Sequence, residues 1–288
     1  MTPSGEARTS GRRVLLVTGG SRGIGREIAR AFATEGDTVV LGARGREALD
    51  AAAAELAATG AKIDTVVFDL ADGESVERAA ATVLERHGPI GVLINNAAVY
   101  GPVGPLHAVE LDDWIRAVEI NLIGPARMTH AVLPGMLRAG GGSVVNLSGG
   151  GATGPKPGYS AYAASKTALV RLTEVLAHEL ASHGIRVNAI APGFVATRLH
   201  QATLAAGDAA PDRDKVAAQL AEGGQDPRVA AELAVFLASD AAAGVTGRLI
   251  SAPWDDWRSL AGGETLAGND LYTLRRIDDM FYRQVPRE

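Results

Sequence analysis

Residues 14–25 read VLLVTGGSRGIG, an apolar run that passes directly into a glycine-rich turn and then into an amphipathic stretch. The apolar run predicts a buried strand, and the stretch that follows the turn predicts a helix. Glycines at 19, 23 and 25 let the backbone turn tightly, and the free N–H groups at the start of a helix attract a pyrophosphate. The sequence therefore predicts a dinucleotide-binding strand–turn–helix unit at the beginning of an α/β domain.

Short β-branched runs and longer helical patterns alternate from Arg13 to Ser251. This alternation predicts one α/β domain, a doubly wound parallel sheet of about seven strands with helices on both faces. The predicted strands are Val14–Thr18, Thr38–Ala43, Ile63–Phe68, Val92–Asn95, Ser143–Leu147, Arg186–Ala191 and, more weakly, Arg248–Ser251. The predicted helices lie near 24–35, 46–59, 74–87, 111–138, 159–183 and 227–239.

Three segments lie outside this alternation. Residues 1–12 are polar and predict a flexible leader. Residues 197–226 are small and polar, with a short amphipathic piece near 213–222, and predict a lid over a substrate. Residues 252–288 predict a C-terminal extension that packs on the domain or on a neighbouring subunit, with a strand or a short helix at 271–277. The extension carries five aromatic residues, Trp254, Trp257, Tyr272, Phe281 and Tyr282.

Composition narrows the class of protein. Hydrophobic residues make up 47% and charged residues 21%, which is typical of a globular domain. A net charge of −5 without a basic block argues against nucleic acid or an anionic membrane as a partner. The chain has no cysteine, which excludes disulfides, thiolate catalysis and cysteine-ligated metals and is compatible with a cytoplasmic location. The six histidines show no metal-ligand spacing.

The end of the second predicted strand bears on the choice of cofactor. An acidic residue there would bind the ribose 2′-hydroxyl of NAD, whereas arginine suits the 2′-phosphate of NADP. This chain has Ala43-Arg44 at that point, and Arg22 lies in the glycine turn. We therefore expect NADP(H) rather than NAD(H), with solvated surface arginines as the alternative. Asp69 is positioned to receive the adenine amino group, although an aspartate after a strand is also a common cap.

A tyrosine and a lysine stand four residues apart in Tyr162-Ala163-Ala164-Ser165-Lys166. This spacing places both side chains on one face of a helix. An ammonium about 4 Å from a phenol would favour the phenolate by roughly 4 kcal/mol at an effective dielectric near 20, which is about three pKa units. The pattern predicts a tyrosine that acts as a general acid and base near neutral pH, unless the helix carries both residues by accident.

Taken together, these residues resemble the short-chain dehydrogenase/reductase family over about residues 13–250. The resemblance implies a Rossmann-like sheet and an NAD(P)-dependent oxidoreductase. One departure is Ala98, where the family usually has glycine. The motifs that carry the resemblance are the Thr18–Gly25 turn, Asn95-Asn96-Ala97-Ala98, Asn121, Tyr162 with Lys166, and Pro192-Gly193 followed by Val195 and Thr197.

The resemblance also implies a role for individual residues. Tyr162 exchanges a proton with the substrate oxygen, Lys166 lowers its pKa and holds the nicotinamide ribose, and Asn121 holds a water that links Lys166 to solvent. Val195 and Thr197 position the carboxamide. Further cofactor contacts fall on Gly19, Ser21, Arg22, Gly23, Ile24, Gly25, Arg44, Asp69, Leu70, Asn96, Pro192 and Gly193. Candidates to line the substrate pocket are Tyr100, His107, Tyr159, Phe194 and His200.

The usual catalytic serine of the family is absent. It stands thirteen residues before the tyrosine, and that position is Gly149 in this chain. Three alternatives remain. Ser148 turns inward and binds the substrate oxygen; the backbone N–H groups of Gly149 or Gly150, the hydroxyl of Thr153 or a substrate group replaces it; or catalysis is weak or absent. Losing one such donor costs about 10²–10³ in rate, so an active enzyme remains compatible with the sequence.

The function predicted from the sequence is an NADP(H)-preferring oxidoreductase that interconverts a hydroxyl and a carbonyl of a small molecule. An epimerase or dehydratase with the same tyrosine and nicotinamide is one alternative, and a catalytically weak nucleotide-binding protein is another. We further expect a homotetramer or homodimer built on the helices at 111–138 and 159–183, with the extension at 252–288 covering a subunit interface or closing a substrate pocket.

Overall fold

A computed structural model describes residues 13–276, so the predicted leader (1–12) and the end of the predicted extension (277–288) lie outside the described residues. All paired strands run parallel, in the order β3-β2-β1-β4-β5-β6-β7. The doubly wound sheet predicted from the sequence is thereby confirmed, with each strand end within one residue of its predicted place. The strands are β1 (Val14–Thr18), β2 (Thr38–Ala43), β3 (Ile63–Val67), β4 (Val92–Asn95), β5 (Gly142–Leu147), β6 (Ile185–Ala191) and β7 (Leu249–Ser251).

The helices cover both faces of the sheet. They are α1 (Gly23–Thr34), α2 (Arg46–Ala57), α3 (Gly73–His87), α4 (Leu111–Val118), α5 (Gly124–Ala139), α6 (Ser160–Leu180), α7 (Gln201–Ala205), α8 (Arg213–Ala221) and α9 (Pro227–Ala238). The core has two halves, one under α1, α2 and α9 and one under α3, α5 and α6. Strand β1 contributes side chains to both halves of the core. Leu15 and Val17 face the first half, and Val14 and Leu16 face the second. This two-sided burial explains why the strands are apolar without alternation.

The helix predicted over 111–138 is interrupted by a π-helical turn, Glu119–Ile123. Pro125 has no N–H group, so the carbonyl of Asn121 lacks its usual donor four residues ahead. The Gly124 N–H donates instead to the Glu119 carbonyl, five residues back. Wider turns of this kind inside helices are frequent at functional sites. The sequence contains the proline, but the π turn itself was not predicted.

The predicted lid, residues 197–226, forms short helical pieces above the carboxyl end of the sheet. The 3₁₀ turn Arg198–His200 leads into α7, and α8 matches the amphipathic piece predicted near 213–222. An antiparallel bridge between Val195 and Gly224 joins the two ends of the lid, and the Gln225 N–H donates to the Phe194 carbonyl at 2.7 Å. The lid is therefore a closed loop with both ends fixed at one point.

The described part of the extension, residues 252–276, packs on the domain of its own chain. Two 3₁₀ turns, Trp257–Leu260 and Glu264–Leu266, bury Trp257, Leu260 and Leu266 in the core beside α9. The indole N–H of Trp257 donates to the Ala252 carbonyl at 3.2 Å. The strand or short helix expected at 271–277 is not formed between 271 and 276, where Tyr272 has a left-handed φ of 61°.

The same segment covers the outer edge of β7. The Leu249 N–H donates to the Tyr272 carbonyl at 2.7 Å. Arg248 holds the segment in place, because its guanidinium donates to the carbonyls of Leu266, Asn269 and Leu271 at 2.7–2.9 Å. One backbone hydrogen bond and the Arg248 guanidinium thus hold the extension against the outer edge of the final strand.

Candidate active site

The glycine turn is fixed by side chains from two neighbouring strands. The Thr18 hydroxyl accepts from the N–H groups of Asn96 and Ala97 at 3.0 and 3.1 Å. The Asn96 amide donates to the carbonyls of Thr18 at 2.9 Å and Gly19 at 3.3 Å. Asn96, which was predicted to contact the cofactor, holds the turn in shape, and its contact with a cofactor stays a prediction.

The turn has the shape of a phosphate cradle. A Cβ atom at Gly25 would lie 2.4 Å from Asn96 Nδ2 and 2.5 Å from the Gly19 carbonyl, so only glycine fits there. Gly19 and Gly23 have left-handed φ values of 68° and 55°. At the start of α1, Arg22 makes no side-chain cap and the first turn has no acidic residue, so its N–H groups are open to an anion. These observations fit the pyrophosphate of a dinucleotide.

Two of the predicted cofactor residues are partly or wholly in the core. Ile24 packs against the core under α1, and Leu70 is buried against Gly124 at the start of α5. Ser21 is half-buried in the turn. Of the three, Ser21 is therefore the one whose side chain is best placed to reach a bound phosphate.

Arginines surround the predicted adenosine side. Arg22 is exposed, and Arg44 is 63% exposed at the end of β2. Asp69 accepts from Arg116 at 3.3 Å and lies 4.0 Å from Arg44. The second carboxylate oxygen of Asp69 accepts from the Ala71 N–H at 3.0 Å, so Asp69 also has the capping role that was its alternative.

The segment after β6 brings the lid to the glycine turn. Pro192 is half-buried, and Gly193 has a left-handed φ of 77° beside Pro253. Val195 is buried in the bridge that closes the lid. Thr197 Cγ2 would be 3.4 Å from a Cβ atom at Gly23, so the start of the lid lies directly over the turn. The predicted carboxamide residues are thus close to the predicted pyrophosphate residues.

Tyr162 and Lys166 share one buried face of α6, as the spacing predicted. Lys166 Nζ lies 5.8 Å from the centroid of the Tyr162 ring and donates to the Leu147 carbonyl at 2.5 Å. The expected pKa shift is wrong for this structure: burial raises the pKa of Tyr162 instead of lowering it. Burial also lowers the pKa of Lys166 to about 7. Spacing sets the distance between the two groups, whereas burial disfavours the charged form of both.

Gly149 and Tyr162 lie in direct contact. A Cβ atom at position 149 would be 2.1 Å from the Tyr162 hydroxyl oxygen, so that oxygen fills the space where a side chain would begin. Ser148 is buried, and its hydroxyl has no hydrogen-bond partner among the described residues. Thr153 is exposed on the loop that follows, and Gly150 has open space around its Cα. The three alternatives for the missing serine therefore remain open.

Asn121 lies behind Tyr162 and ties three elements together. Its amide donates to the Val99 carbonyl at 2.7 Å and to the Ser165 hydroxyl at 3.1 Å, and its oxygen accepts from the Val99 N–H at 2.9 Å. Ser165 in turn donates to the Tyr162 carbonyl at 2.8 Å. The side chain of Asn121 thus fixes the loop after β4 against α6. The carbonyl of Asn121 lacks an α-helical donor, because Pro125 has no N–H group.

Aromatic side chains cover Tyr162 on the lid side. Tyr100 meets the Tyr162 ring edge-on, with centroids 4.8 Å apart, and meets Tyr159 at 5.0 Å. His200 stacks on Phe194 at 4.1 Å and lies 3.0 Å from the Tyr100 hydroxyl through Nδ1. Four of the five predicted pocket residues therefore come together. The fifth, His107, is exposed in the turn Leu106–Ala108.

An ion pair that the sequence did not indicate holds the lid closed. Lys156, on the loop before α6, binds Asp212 on the lid at 2.5 Å. The Tyr159 hydroxyl donates to the same carboxylate at 2.5 Å and lies 2.9 Å from the Thr203 hydroxyl. Burial and the nearby carboxylate raise the pKa of Tyr159 to about 12. The partners are 44–56 residues apart without a motif, so no sequence signal marks them.

Residues 13–276 contain neither a membrane-spanning helix nor a cluster of metal ligands. None of the helices in this range is long and apolar enough to cross a membrane. Within the same range, no three or more His, Asp or Glu side chains cluster in a way that could hold a metal ion.

Comparison with known proteins places the chain in a family. A family model described as short chain dehydrogenase matches residues 13–207. The human protein dehydrogenase/reductase SDR family member 4 is 42% identical over 199 residues, which cover 68% of this chain and 72% of that protein. The 3-oxoacyl-(acyl-carrier-protein) reductase FabG of Thermotoga maritima is 34% identical over 242 residues, which cover 83% of this chain and 95% of that protein.

Solved structures agree with this assignment. A variant of actinorhodin polyketide ketoreductase with NADPH has a TM-score of 0.76 and 34% identity, over 83% of this chain and 95% of that one. Xylitol dehydrogenase bound to NAD⁺ has a TM-score of 0.76 and 31% identity, over 83% and 96%. The chain belongs to the short-chain dehydrogenase family and is an oxidoreductase that acts on hydroxyl or carbonyl groups.

Proposed function

We propose that this chain interconverts a hydroxyl and a carbonyl of a small molecule with NADP(H), and that Tyr162 is its general acid and base. One observation carries the proposal: Tyr162 and Lys166 are buried side by side on α6, in a chain whose glycine turn before α1 leaves N–H groups open to an anion. The nicotinamide, when bound, supplies or accepts the hydride.

The preference for NADP(H) rests on charge at the adenosine side. Arg22 and Arg44 are exposed, and β2 ends without a carboxylate that could bind a ribose 2′-hydroxyl. Arg44 is only loosely engaged by Asp69 at 4.0 Å, which leaves it free to turn toward a phosphate. Similar structures contain both NADPH and NAD⁺, so the argument depends on these arginines.

The protonation state of Tyr162 suits reduction. A raised pKa keeps the phenol protonated at neutral pH, and this is the form that can give a proton to a carbonyl oxygen. Lys166, with its pKa near 7, can exist in either form at physiological pH. Asn121 fixes the loop that carries Tyr100 against this helix. The chain therefore orients a proton donor and excludes water around it, and Ser148 or a backbone N–H near Gly149 holds the substrate oxygen.

The surface of α4, α5 and α6 supports the predicted homodimer or homotetramer. Leu111, Ile115, Ile123, Leu137 and Val175 are all more than one-third exposed on or beside these helices. Exposed apolar side chains on these helices can be buried against a second copy of the chain. A cytoplasmic location stays a prediction.

The proposal is tested by following cofactor absorbance at 340 nm while the purified protein is given a panel of ketones and alcohols with NADPH, NADH or the oxidised forms. We expect turnover, with a higher kcat/KM for the phosphorylated cofactor. Product formed without net change in cofactor would identify the epimerase or dehydratase alternative. Cofactor binding without any product would identify the catalytically weak one.

Tyr162→Phe is the decisive variant in the same assay. It removes the hydroxyl and keeps the ring, so we expect turnover to be lost while the Kd for the cofactor stays nearly unchanged. A substantial residual rate would show that another group is the acid.

A further inference from the structure

We propose that Asn146 is a positioning residue for Lys166, because its buried side chain joins strands β4 and β5 to the helix that carries the lysine. The inference rests on the proposed function and adds to it a residue that acts through another. Asn146 is 2% exposed near the end of β5, and its side chain lies on the side of the sheet that α6 covers.

A hydrogen bond between neighbouring strands holds one end of the Asn146 amide. Asn95 and Asn146 are register partners in β4 and β5, so their side chains leave the sheet on the same face. The Asn146 oxygen accepts from Asn95 Nδ2 at 2.9 Å, and the same nitrogen donates to the Thr129 hydroxyl of α5 at 3.2 Å. Asn95 also stands directly before Asn96, which holds the glycine turn. One end of the amide is therefore fixed to the strand that supports the predicted cofactor site.

The other end of the amide is bonded to α6. Asn146 Nδ2 donates to the Thr173 hydroxyl at 2.9 Å, and this hydroxyl donates in turn to the Leu169 carbonyl at 2.8 Å. The single proton of the threonine hydroxyl is used within the helix, so Thr173 serves Asn146 as an acceptor. Thr173 follows Lys166 by seven residues, which places both on one face of α6, about 10 Å apart along the axis. Asn146 thus fixes how far α6 is advanced along the sheet.

Lys166 reaches the same strand one residue further on. Its Nζ donates to the carbonyl of Leu147, the residue that follows Asn146. Two hydrogen bonds therefore join α6 to neighbouring residues of β5, one from the lysine and one to Thr173. Loss of the Asn146 contact removes one of the two, so the ammonium is free to shift against Tyr162, whose ring centroid lies 5.8 Å away.

The surroundings of these side chains favour a positioning role. Asn95, Asn146 and Thr173 are each no more than 2% exposed, on the side of β5 where Val144 enters the core under α3, α5 and α6. Apolar side chains of the same shape would serve stability about as well, because a buried hydrogen bond chiefly replaces bonds to water. A hydrogen-bonded set of buried polar side chains, by contrast, specifies one arrangement of the elements that carry it. The network therefore fixes geometry next to the proposed acid and its lysine.

Thr173→Val is the sharpest variant, because valine keeps the shape of threonine and removes the acceptor at a distance from Lys166. We expect it to lower kcat by about 10-fold, since a displacement of about 1 Å is enough for a loss of up to about 10²-fold. Thr173→Ser keeps a hydroxyl and should restore kcat to near the wild-type value. Asn146→Ala, which removes the amide itself, should lower kcat at least as much as Thr173→Val.

Ser143→Ala is the matched control, on the same strand but on its opposite face. Ser143 is 2% exposed, and its hydroxyl donates to the Leu237 carbonyl of α9 at 3.3 Å. The variant loses one buried hydrogen bond, as Thr173→Val does, without touching α6. We expect thermal unfolding to show lower stability in both variants, and kcat to fall only in Thr173→Val. An equal loss of kcat in the two would overturn the inference, because general destabilisation would account for it.

NMR titration of protein that carries ¹³C-labelled lysine measures the environment of the Lys166 ammonium without turnover. Burial lowers the pKa of Lys166 to about 7, and the titratable ring that faces it is that of Tyr162. A hydrogen bond to the Leu147 carbonyl favours the charged form, so a lysine that loses this bond should titrate at lower pH. We expect this shift in Thr173→Val, and the wild-type pKa in Thr173→Ser and Ser143→Ala.

The outcomes separate this inference from the proposed function. A wild-type kcat in Thr173→Val, or an unchanged pKa of Lys166 in that variant, overturns the positioning role. If Asn146→Ala does not fold, the two Thr173 variants carry the test, since both leave the strand intact. No turnover by the wild-type protein on any substrate refutes the proposed function, whereas turnover without these effects refutes only the role of Asn146.

Discussion

Gly149 and Tyr162 compete for one small volume in this site. The Tyr162 oxygen lies where the first side-chain atom of residue 149 would be, so the glycine sets how deeply the phenol is seated. Helix spacing predicted that Tyr162 and Lys166 share one face, and the family resemblance placed Gly149 where the usual serine stands. The sequence could not predict the direction of the Tyr162 pKa, because that depends on burial and spacing does not reveal depth.

We expect Gly149→Ala to displace Tyr162 and to lower kcat by about 10²-fold, since a shift of the acid by about 1 Å is enough for a loss of that size. The Kd for the cofactor should stay close to the wild-type value, because the glycine turn is far from Gly149 in the chain and is held by its own hydrogen bonds. Steady-state kinetics and cofactor titration measure the two effects.

The matched control is Gly154→Ala on the same loop, where an added Cβ atom meets nothing within 4 Å. It should leave kcat unchanged. Wild-type kcat in Gly149→Ala as well would mean that the tyrosine is free to move, contrary to the enclosure described above.

At the scale of elements, the lid is closed by one carboxylate. Asp212 binds Lys156 and Tyr159, both on the segment that enters α6. Partial burial alone would raise the pKa of Asp212, but the hydrogen bonds from Lys156 and Tyr159 outweigh it and hold the pKa below its usual value. The sequence predicted the lid and its amphipathic piece from composition. The contacts that close the lid could not be predicted from the sequence, because they join residues that are far apart in the chain.

We expect Asp212→Asn to open the lid, because the amide keeps the size of the carboxylate and loses its attraction to Lys156. Limited proteolysis should cut residues 198–222 faster in this variant, and KM should rise more than kcat falls. In the wild-type protein, acid should have the same effect. A carboxylate with a lowered pKa stabilises the closed lid above its unperturbed pKa, and that contribution is lost as the pH falls through the folded value.

Asp208→Asn, at an exposed carboxylate on the same lid, is the comparison for charge alone. Equal proteolysis rates in the two variants and the wild type would show that the Asp212 contacts do not hold the lid.

At the scale of the whole molecule, the sheet and its two-sided core followed from the sequence because the strands are uniformly apolar and the helices are amphipathic. The packing of the extension could be predicted from the sequence only in part. Its aromatic residues indicated packing, yet nothing in their spacing said that Trp257 would enter the core and that Trp254 would stay outside. That outcome depends on the turn at Trp257–Leu260, which lays the indole against Phe236 on α9.

The two tryptophans provide a matched pair for stability. Trp257 is 4% exposed and Trp254 is 72% exposed. Trp257→Ala should lower the free energy of unfolding by about 3–5 kcal/mol, since it leaves a large cavity. Trp254→Ala should change it by less than about 0.5 kcal/mol. Urea unfolding followed by circular dichroism measures both, and equal effects would contradict a core role for the extension.

Arg248 and Tyr272 together have a consequence for the behaviour of the chain in concentrated solution. A free outer strand offers a row of unpaired N–H and C=O groups, on which a foreign strand can add and start aggregation. Here the Leu249 N–H is already bonded to the extension, and the guanidinium of Arg248 keeps the extension in place. The segment after β7 therefore hinders the addition of a foreign strand at this edge of the sheet.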